Sequence, residues 1–244
     1  FTVVTELVYR RSRPDSPHGR LRPWVHPDRD WTGLLLSGIA NSRVLRTLCE
    51  KLPVPVMVSD ITDVIYVNWV VPAVRLEHLV PQGLELQRIG PDGRYAFFTF
   101  LTFQHGHFGP EFLGGLRRHL PSPVQTNWRI HVRDPRTGKL GVYFVTNAID
   151  STAHALGARL FAEGMPMHLL REAKAERLPD GRFHLKLDPG EGSAPQVHAW
   201  FSPLGGPPAT GPWQPAFANY EEMLAYCVPQ DRAFSTQPWL DRKS

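Results

Sequence analysis

The feature that most constrains the fold is a succession of strand-like segments between residues 61 and 149. The runs "DVIYVNWVV" and "RYAFFTFLTFQHGHF" are rich in β-branched and aromatic residues, and "QTNWRIHV" and "LGVYFVTNAI" follow them. The turn signals "GPDG" and "DPRTGK" lie between these runs, a pattern that predicts strands and hairpins. One helix, "TAHALGARLFAEG", and further short strands come next. This order favours a barrel or a strongly curved sheet over a doubly wound α/β fold.

The segment "QTNWRIHV" carries an unusual set of polar side chains. Because successive side chains of a strand point to opposite faces, one face holds Gln125, Asn127, Arg129 and His131. If the strand lines a barrel, Arg129 could hold a carboxylate by two parallel hydrogen bonds, and Asn127 could donate to a carbonyl oxygen. His131 could transfer a proton near neutral pH. The alternative, a hairpin strand whose polar face meets solvent, stays open.

Histidine and tyrosine side chains near this strand suggest further chemistry. His105 and His107 are two residues apart and are expected to share a face. A third ligand such as Glu111 or His131 would complete a zinc or iron site there. Tyr143, on the strand after the hairpin, could donate to a bound oxyanion or merely pack. Because a His-x-His pair alone is a weak signal, no resident metal or cofactor is predicted.

Charge and composition argue against two classes of partner. The net charge is +4, but acidic residues closely follow the densest basic cluster, at Arg10, Arg11 and Arg13. No nucleic-acid-binding face is therefore predicted. No apolar run approaches the roughly 18 residues of a membrane span, and no signal peptide is recognisable, so no membrane association is expected. Cys49 and Cys227 are expected to be small buried hydrophobes in a reducing, cytoplasmic compartment.

Four segments together resemble the bacterial YqjF-like proteins of unassigned function. They are "IYVNWVVPAVRLEHLVPQGLEL", "QTNWRIHVRDPRTGKLGVYFVTNAIDS", "ARLFAEGMPMH" and "YEEMLAYC", and the resemblance extends over about residues 60–228. Asn68 and Trp69 stand where these proteins have a His-Trp or similar pair. Asn127 and Arg129 match their Glu-x-Asn-x-Arg strand, whereas Gln125 replaces the Glu.

That family is similar in fold to acetoacetate decarboxylase, and the resemblance implies a specific architecture. It implies a mainly β (α+β) protein with a closed, cone-like antiparallel barrel, a polar interior and a few peripheral helices. Residues 56–244 would form the barrel. Residues 1–55 have no recognisable counterpart in that family, and their own sequence predicts an N-terminal arm and helices that pack on the barrel. A barrel with a polar interior favours the pocket interpretation of "QTNWRIHV". The N-terminal arm could also wrap a partner subunit in a homodimer.

The resemblance also implies a site and a departure from the superfamily's chemistry. Decarboxylases of this superfamily form an imine through a Lys in a Gly-Arg-Glu … Pro-Lys-Lys motif. Here Arg159 matches the Arg, but Leu160 replaces the Glu, and Met167 and His168 follow the Pro in place of the lysines. Imine catalysis is therefore not expected. The predicted catalytic residues are His131, His105 and Tyr143, and the predicted substrate-binding residues are Arg129, Asn127, Gln125, Arg159, His168 and Trp69.

These features predict an acetoacetate-decarboxylase-like protein that acts on a small carboxylated or oxo metabolite without a Schiff-base lysine. Two alternatives remain. One is a barrel that binds or senses a small molecule without turning it over. The other is a metalloenzyme with histidine ligands. In each case the expected partner is a small molecule.

Overall fold

The computed structural model describes residues 2–5, 23–49, 51–53, 55–161, 167–202, 210, 213–214, 216–228, 233–234, 236–237 and 242–243. Within these ranges the chain is mainly β with several helices, as predicted. The strands are β1 (Thr2–Thr5), β2 (Met57–Pro72), β3 (Glu85–Leu86), β4 (Tyr95–Pro110), β5 (Val124–Arg133), β6 (Leu140–Ile149), β7 (Met167–Leu169), β8 (Glu172–Arg177), β9 (Phe183–Asp188), β10 (Val197–Ser202), β11 (Ala233–Phe234), β12 (Thr236–Gln237) and β13 (Arg242–Lys243). The α-helices are α1 (Trp31–Asn41), α2 (Arg43–Cys49), α3 (Thr152–Leu160) and α4 (Tyr220–Cys227), and short 3-10 helices cover Ala73–Arg75, Glu77–Leu79 and Glu111–His119.

The larger sheet has seven strands, and β5 lies at its centre. The strand order is β11-β6-β5-β4-β2, while β3 also pairs with β5 and β7 with β6. The predicted hairpin between β5 and β6 is confirmed by their antiparallel pairing. Its turn is stabilised by Asp134, whose carboxylate accepts a hydrogen bond from the Arg136 amide, and by Gly138 at φ +69°. The polar strand therefore has long neighbours on both sides.

The smaller sheet packs against one face of the larger sheet. Its four strands follow the order β1-β10-β9-β8. Alternate side chains of β9 and β10, including Leu185, Leu187 and Ala199, are fully buried in one cluster with Phe100 and Trp128 of the larger sheet. Phe100 and Trp128 stack with their ring centroids 4.6 Å apart. Burial of this apolar face, at roughly 25 cal/mol per Å², holds the two sheets together.

The described strands do not form the closed barrel that was expected. The path of the larger sheet ends at β2 on one side and at β11 on the other, and no described strand joins these two edges. Instead, the large sheet's apolar face is covered by a second sheet, which achieves the same burial without closure. The expected mainly β fold is thus observed, whereas the expected closure is not observed.

Helices cover the opposite face of the larger sheet at two separate places. Near one end, α1 and α3 pack on Ile149 and Leu169 through Ala40 and Ala155. Near the other end, α4 packs on Phe97 through Met223 and Cys227.

Local sequence fixes where two of these helices begin. The side chain of Asp30 caps α1 by accepting from the Gly33 amide at 2.7 Å, and Asn219 caps α4 by accepting from the Glu222 amide at 2.8 Å. None of the helices in the described ranges is long and apolar enough to cross a membrane.

Candidate functional site

The polar face of β5 is buried. Gln125, Asn127, Arg129 and His131 each expose less than a tenth of their surface, and His131 exposes none. A strand that presents an amide, a cation and an imidazole to solvent would not show this burial. The solvent-facing alternative is therefore excluded, and each of these polar groups must find a partner or incur a desolvation cost.

Neighbouring strands add polar side chains to the same face. Residues directly opposite each other in a sheet share a face, and Asn147 of β6 lies opposite Asn127. On the other side, Thr99 of β4 lies opposite Arg129, and its hydroxyl donates to the Asn68 side chain at 2.7 Å. We use the term polar face for the side chains of Gln125, Asn127, Arg129 and His131 together with these neighbours, Asn147, Thr99 and Asn68. The helices α3 and α4 cover its two ends.

One half of the polar face is a connected hydrogen-bond chain. Ser59 Oγ lies 2.7 Å from His105 Nδ1, and His105 Nε2 lies 2.9 Å from Gln125 Oε1. Gln125 Nε2 then donates to Asn127 Oδ1 at 2.8 Å. Since the amide oxygen of Gln125 can only accept, we assign the proton of His105 to Nε2. Burial lowers the pKa of His105, although its hydrogen bond to Gln125 acts in the opposite direction.

Arg129 donates a hydrogen bond to helix α4, but one of its donors has no hydrogen-bond partner among the described residues. Its NH2 group donates to the carbonyl oxygen of Cys227 at 2.9 Å, at the helix end that favours a cation. The guanidinium also lies 5.5 Å from the centre of the Tyr66 ring. Among the described residues, its buried Nε–H has no hydrogen-bond partner. Burial lowers the pKa of Arg129 and raises that of the Cys227 thiol to about 12.

His131 and Asn147 are buried polar groups that lack hydrogen-bond partners among the described residues. Neither ring nitrogen of His131 and neither amide atom of Asn147 bonds to any residue that the structure describes. Burial, reinforced by the charge of Arg129, lowers the pKa of His131 to about 3. The ring is therefore neutral near neutral pH. The aromatic rings of Phe97 and Tyr226 lie beside it, with centroids 6.1 and 4.9 Å away.

Asn147 was not predicted from the sequence. The segment "VTNAI" looks like an ordinary strand, and its Asn becomes noticeable only when the hairpin is paired. With the turn at residues 134–139, counting back along both strands brings Asn147 close to Asn127. That count depends on a register shift between Trp128 and Arg129, which the sequence does not reveal.

Two predicted site residues lie on the other face of the sheet. Trp69 packs into the cluster between the sheets, against Phe98 and Phe100. Tyr143 lies opposite Ile130 and packs in a separate hydrophobic cluster. The structure does not bring either of them to Arg129, because the alternation of side chains along a β-strand places them on the opposite face of the sheet.

Arg159 lies at the ends of α1 and α3, whereas His168 lies on β7. Arg159 donates from Nε to the Ala40 carbonyl at 3.1 Å and from NH2 to Asn41 Oδ1 at 3.3 Å. Burial, and then the charge of Arg46, lowers its pKa to about 9. His168 Nδ1 lies 2.6 Å from Ser193 Oγ, and His168 pairs with Ala148 on the face that packs between the sheets.

The expected His105 and His107 pair does not form. A register shift in the β2–β4 pairing precedes this point, and His107 adopts a positive φ of 52°. As a result His105 is buried while His107 is exposed. Within the described part of the chain, no three His, Cys, Asp or Glu side chains come together in a way that could hold a metal ion.

A groove of about 650 Å³ lies beside this region, along β3. Tyr226 lines it and donates from its hydroxyl to Gln87 Oε1 at 3.0 Å, while the same ring contacts His131. The groove's charged side chains pair with one another, as Arg133 does with Glu85 at 2.6 Å. Tyr226 therefore lies between the groove and the end of the polar face that holds His131.

The fold and site together define a mainly β protein with a buried polar face on its central sheet. A family model, DUF2071, described as an uncharacterized conserved protein, matches residues 59–200. This is more than half of the 244 residues, and the chain belongs to that family. The resemblance to YqjF-like proteins is thereby confirmed. A sequence comparison with curated proteins gave no match.

Several solved structures are similar to this chain. Acetoacetate decarboxylase from Legionella pneumophila has 14% identity and a TM-score of 0.47, with 71% of this chain and 56% of that chain covered. The enduracididine biosynthesis enzyme MppR complexed with pyruvate has 17% identity and a TM-score of 0.47, with 76% and 66% covered. An acetoacetate decarboxylase-like enzyme from Sphingomonas wittichii RW1 has 16% identity and a TM-score of 0.36, with 53% and 50% covered. The chain thus spans little more than half the length of the Legionella enzyme.

Proposed function

We propose that this protein binds a small carboxylated or oxo metabolite on the polar face and acts on it without a Schiff-base lysine. The observation that carries the proposal is the group of buried polar atoms without described partners, namely Arg129 Nε, both nitrogens of His131 and the amide of Asn147. Native proteins leave few such atoms unsatisfied, and several together are typical of a ligand site.

The chemistry of these atoms selects the ligand class. A buried guanidinium is recognised best by a carboxylate, because the charge is compensated and the hydrogen bonds are charge-assisted. The Nε–H of Arg129 is available for such a bond. The neutral ring of His131 and the amide of Asn147 each offer donor and acceptor atoms, which suit a carbonyl or hydroxyl group beside the carboxylate.

The positions of the lysines support chemistry without an imine. Lys174 and Lys186 form ion pairs with Glu172 on the smaller sheet, 2.9 and 2.5 Å from its carboxylate oxygens. Lys51 and Lys139 are exposed. None of these four amines lies on the polar face, where a ketone would have to meet it to form an imine.

The decisive experiment compares ligand binding in two matched variants. Pyruvate, acetoacetate and related 2-oxo and 3-oxo acids are titrated into the wild type, Arg129→Met and Arg133→Met by calorimetry. Arg133 is a suitable control because it lies on the same strand but is exposed and paired with Glu85. We expect Arg129→Met to weaken binding by about 30-fold or more, since losing a buried charge partner costs about 2–5 kcal/mol. Equal affinities in all three proteins would refute the proposal.

One observation favours a second function, a binding or sensing module without turnover. A general acid or base works best when its pKa lies near the working pH, whereas the pKa of His131 is about 3. A neutral ring of this kind recognises a ligand more readily than it transfers a proton. Incubation with each bound acid, followed by mass spectrometry, separates the two functions. Conversion supports the enzyme, and retention of the unchanged acid supports the binding module.

A further inference from the structure

The outer face of the smaller sheet carries a histidine pair that is far from the polar face in the fold. Leu185, Leu187 and Ala199 face the core, so the residues that alternate with them, including His184 on β9 and His198 and Trp200 on β10, face outward. His184 lies opposite Trp200, and His198 is its diagonal neighbour. Diagonal side chains across two strands are close enough for long side chains to meet.

The two imidazoles point their Nε2 atoms at each other. His184 Nε2 and His198 Nε2 are 3.1 Å apart, and the two rings are inclined by 63°. On the far side of its ring, His184 Nδ1 lies 3.1 Å from Glu176 Oε1. An ionised carboxylate can only accept, so Glu176 holds the His184 proton on Nδ1. The lone pair of Nε2 is then directed towards His198.

We propose that His184 and His198 bind a divalent transition-metal ion between their Nε2 atoms, with Glu176 as a positioning residue. Imidazole nitrogens bind such ions at about 2.0–2.1 Å, and at that length a 3.1 Å separation corresponds to an N–metal–N angle of roughly 100°. This angle lies between the square-planar geometry preferred by Cu²⁺ or Ni²⁺ and the tetrahedral geometry of Zn²⁺. To bind the ion, His198 must hold its proton on Nδ1, and both rings must turn so that their Nε2 lone pairs converge on the metal.

The surroundings suit a site with open coordination positions. The indole of Trp200 lies 5.1 Å from the His184 ring and 4.2 Å from the His198 ring, so it restricts both rings on one side. In the described part of the chain, no third His, Cys, Asp or Glu side chain is placed to bind the same ion. Water or a small ligand would therefore complete the coordination. Lys186 is a nearby cation, since it lies directly opposite His198 in the strand pairing. Its charge is compensated by Glu172, whose carboxylate oxygen lies 2.5 Å from the Lys186 Nζ. The site does not depend on the proposed function of the polar face.

Metal titration of tag-free protein tests this proposal. Calorimetry with Cu²⁺, Ni²⁺ and Zn²⁺ should give one ion per chain, with the tightest binding for Cu²⁺. His184→Ala and His198→Ala should each abolish this saturable event. Glu176→Gln should weaken it by about 10–100-fold, as expected when a ligand's orienting carboxylate is lost. His78→Ala is the matched control, because His78 is exposed on a 3-10 helix elsewhere, and it should change nothing.

A spectroscopic measurement identifies the ligands directly. The electron paramagnetic resonance spectrum of the Cu²⁺ complex should show coupling to two imidazole nitrogens, and His198→Ala should reduce this to one or none. Cu²⁺ should also quench the fluorescence of Trp200, and Trp200→Phe should remove that quenching without loss of binding. Binding that persists in the double variant His184→Ala/His198→Ala, or no saturable binding by the wild type, would overturn the proposal. Circular dichroism of each variant checks that it is folded.

Discussion

Two of the three arginines that are buried among the described residues, Arg129 and Arg159, differ in what surrounds their guanidinium groups. Both are more than nine-tenths buried. Arg159 donates to the carbonyl groups of Ala40 and Met167 and to the side chain of Asn41, and so connects three separate segments. Arg129 donates to one carbonyl group, that of Cys227, and lies against the Tyr66 side chain, while its Nε has no hydrogen-bond partner among the described residues.

The difference teaches how to separate a structural cation from a binding cation. A buried charge is costly unless hydrogen bonds replace the water that it loses. Arg159 obtains that replacement from the protein itself, so its charge contributes to the fold. Arg129 obtains only part of it, so a ligand would have to supply the rest. On this argument, removing each side chain should affect different properties of the protein.

The largest expected effect is on the stability of Arg159→Met. The change would leave the Ala40 and Met167 carbonyls and Asn41 without these charged donors in a buried place. We expect the free energy of unfolding to fall by about 3 kcal/mol or more, since each hydrogen bond to a charged group contributes about 1.5–3 kcal/mol. Urea unfolding monitored by circular dichroism measures this. A loss below about 1 kcal/mol would contradict a structural role for Arg159.

The second prediction concerns two of the buried histidines, His105 and His131, which differ in their hydrogen bonding as Arg159 and Arg129 do. His105 has a partner on each ring nitrogen, whereas His131 has none among the described residues. The pKa of His131 is about 3 in the folded protein, whereas it is about 6.5 in an unfolded chain. Between these values only the unfolded state binds the proton, so stability should fall as the pH is lowered from about 6.5 towards 3.

The contribution of His131 approaches about 1.4 kcal/mol for each pH unit within that window. The variant His131→Leu removes the titrating group, so its stability should fall less steeply with decreasing pH than that of the wild type. Urea unfolding at pH 7, 6 and 5 gives the two slopes, and His78→Ala, at an exposed position, serves as the control. Parallel slopes for His131→Leu and the wild type would show that the ring does not stay neutral in the fold.

The third prediction returns to Arg129, for which a small effect on stability is expected. Arg129→Met replaces a partly satisfied buried cation with an apolar side chain of similar length, and such exchanges are often neutral or stabilising. The Cys227 carbonyl loses one donor, which offsets part of the gain. The free energy of unfolding should change by less than about 1 kcal/mol, while ligand binding is weakened as proposed above. A destabilisation equal to that of Arg159→Met would mean that Arg129 is a structural cation as well.

Much of the fold could be predicted from local patterns, but the distinction between these arginines could not. The hairpin and the strand with one polar face follow from alternation and turn chemistry within a few residues. The partners that decide each arginine's role lie far away in the sequence: Cys227 is 98 residues from Arg129, and Ala40 is 119 residues from Arg159. Closure of the barrel failed as a prediction for a related reason, since it depends on the meeting of β2 and β11, which are distant in sequence.

The last prediction concerns Gln125→Glu, which tests whether the side chain at position 125 controls the charge of His105. His105 Nε2 is 2.9 Å from Gln125 Oε1, and a carboxylate there would favour the protonated ring. The pKa of His105 should therefore rise in the variant, against the lowering that burial causes in the wild type. A raised pKa contributes stability at low pH that is lost as the pH rises through it. Lowering the pH from 8 to 6 should therefore raise the free energy of unfolding of the variant relative to the wild type by about 1 kcal/mol. Nuclear magnetic resonance titration of the His105 ring measures the pKa. An unchanged titration would mean that the side chain at position 125 does not control the charge of His105, and that a Gln there has no electrostatic consequence for the site.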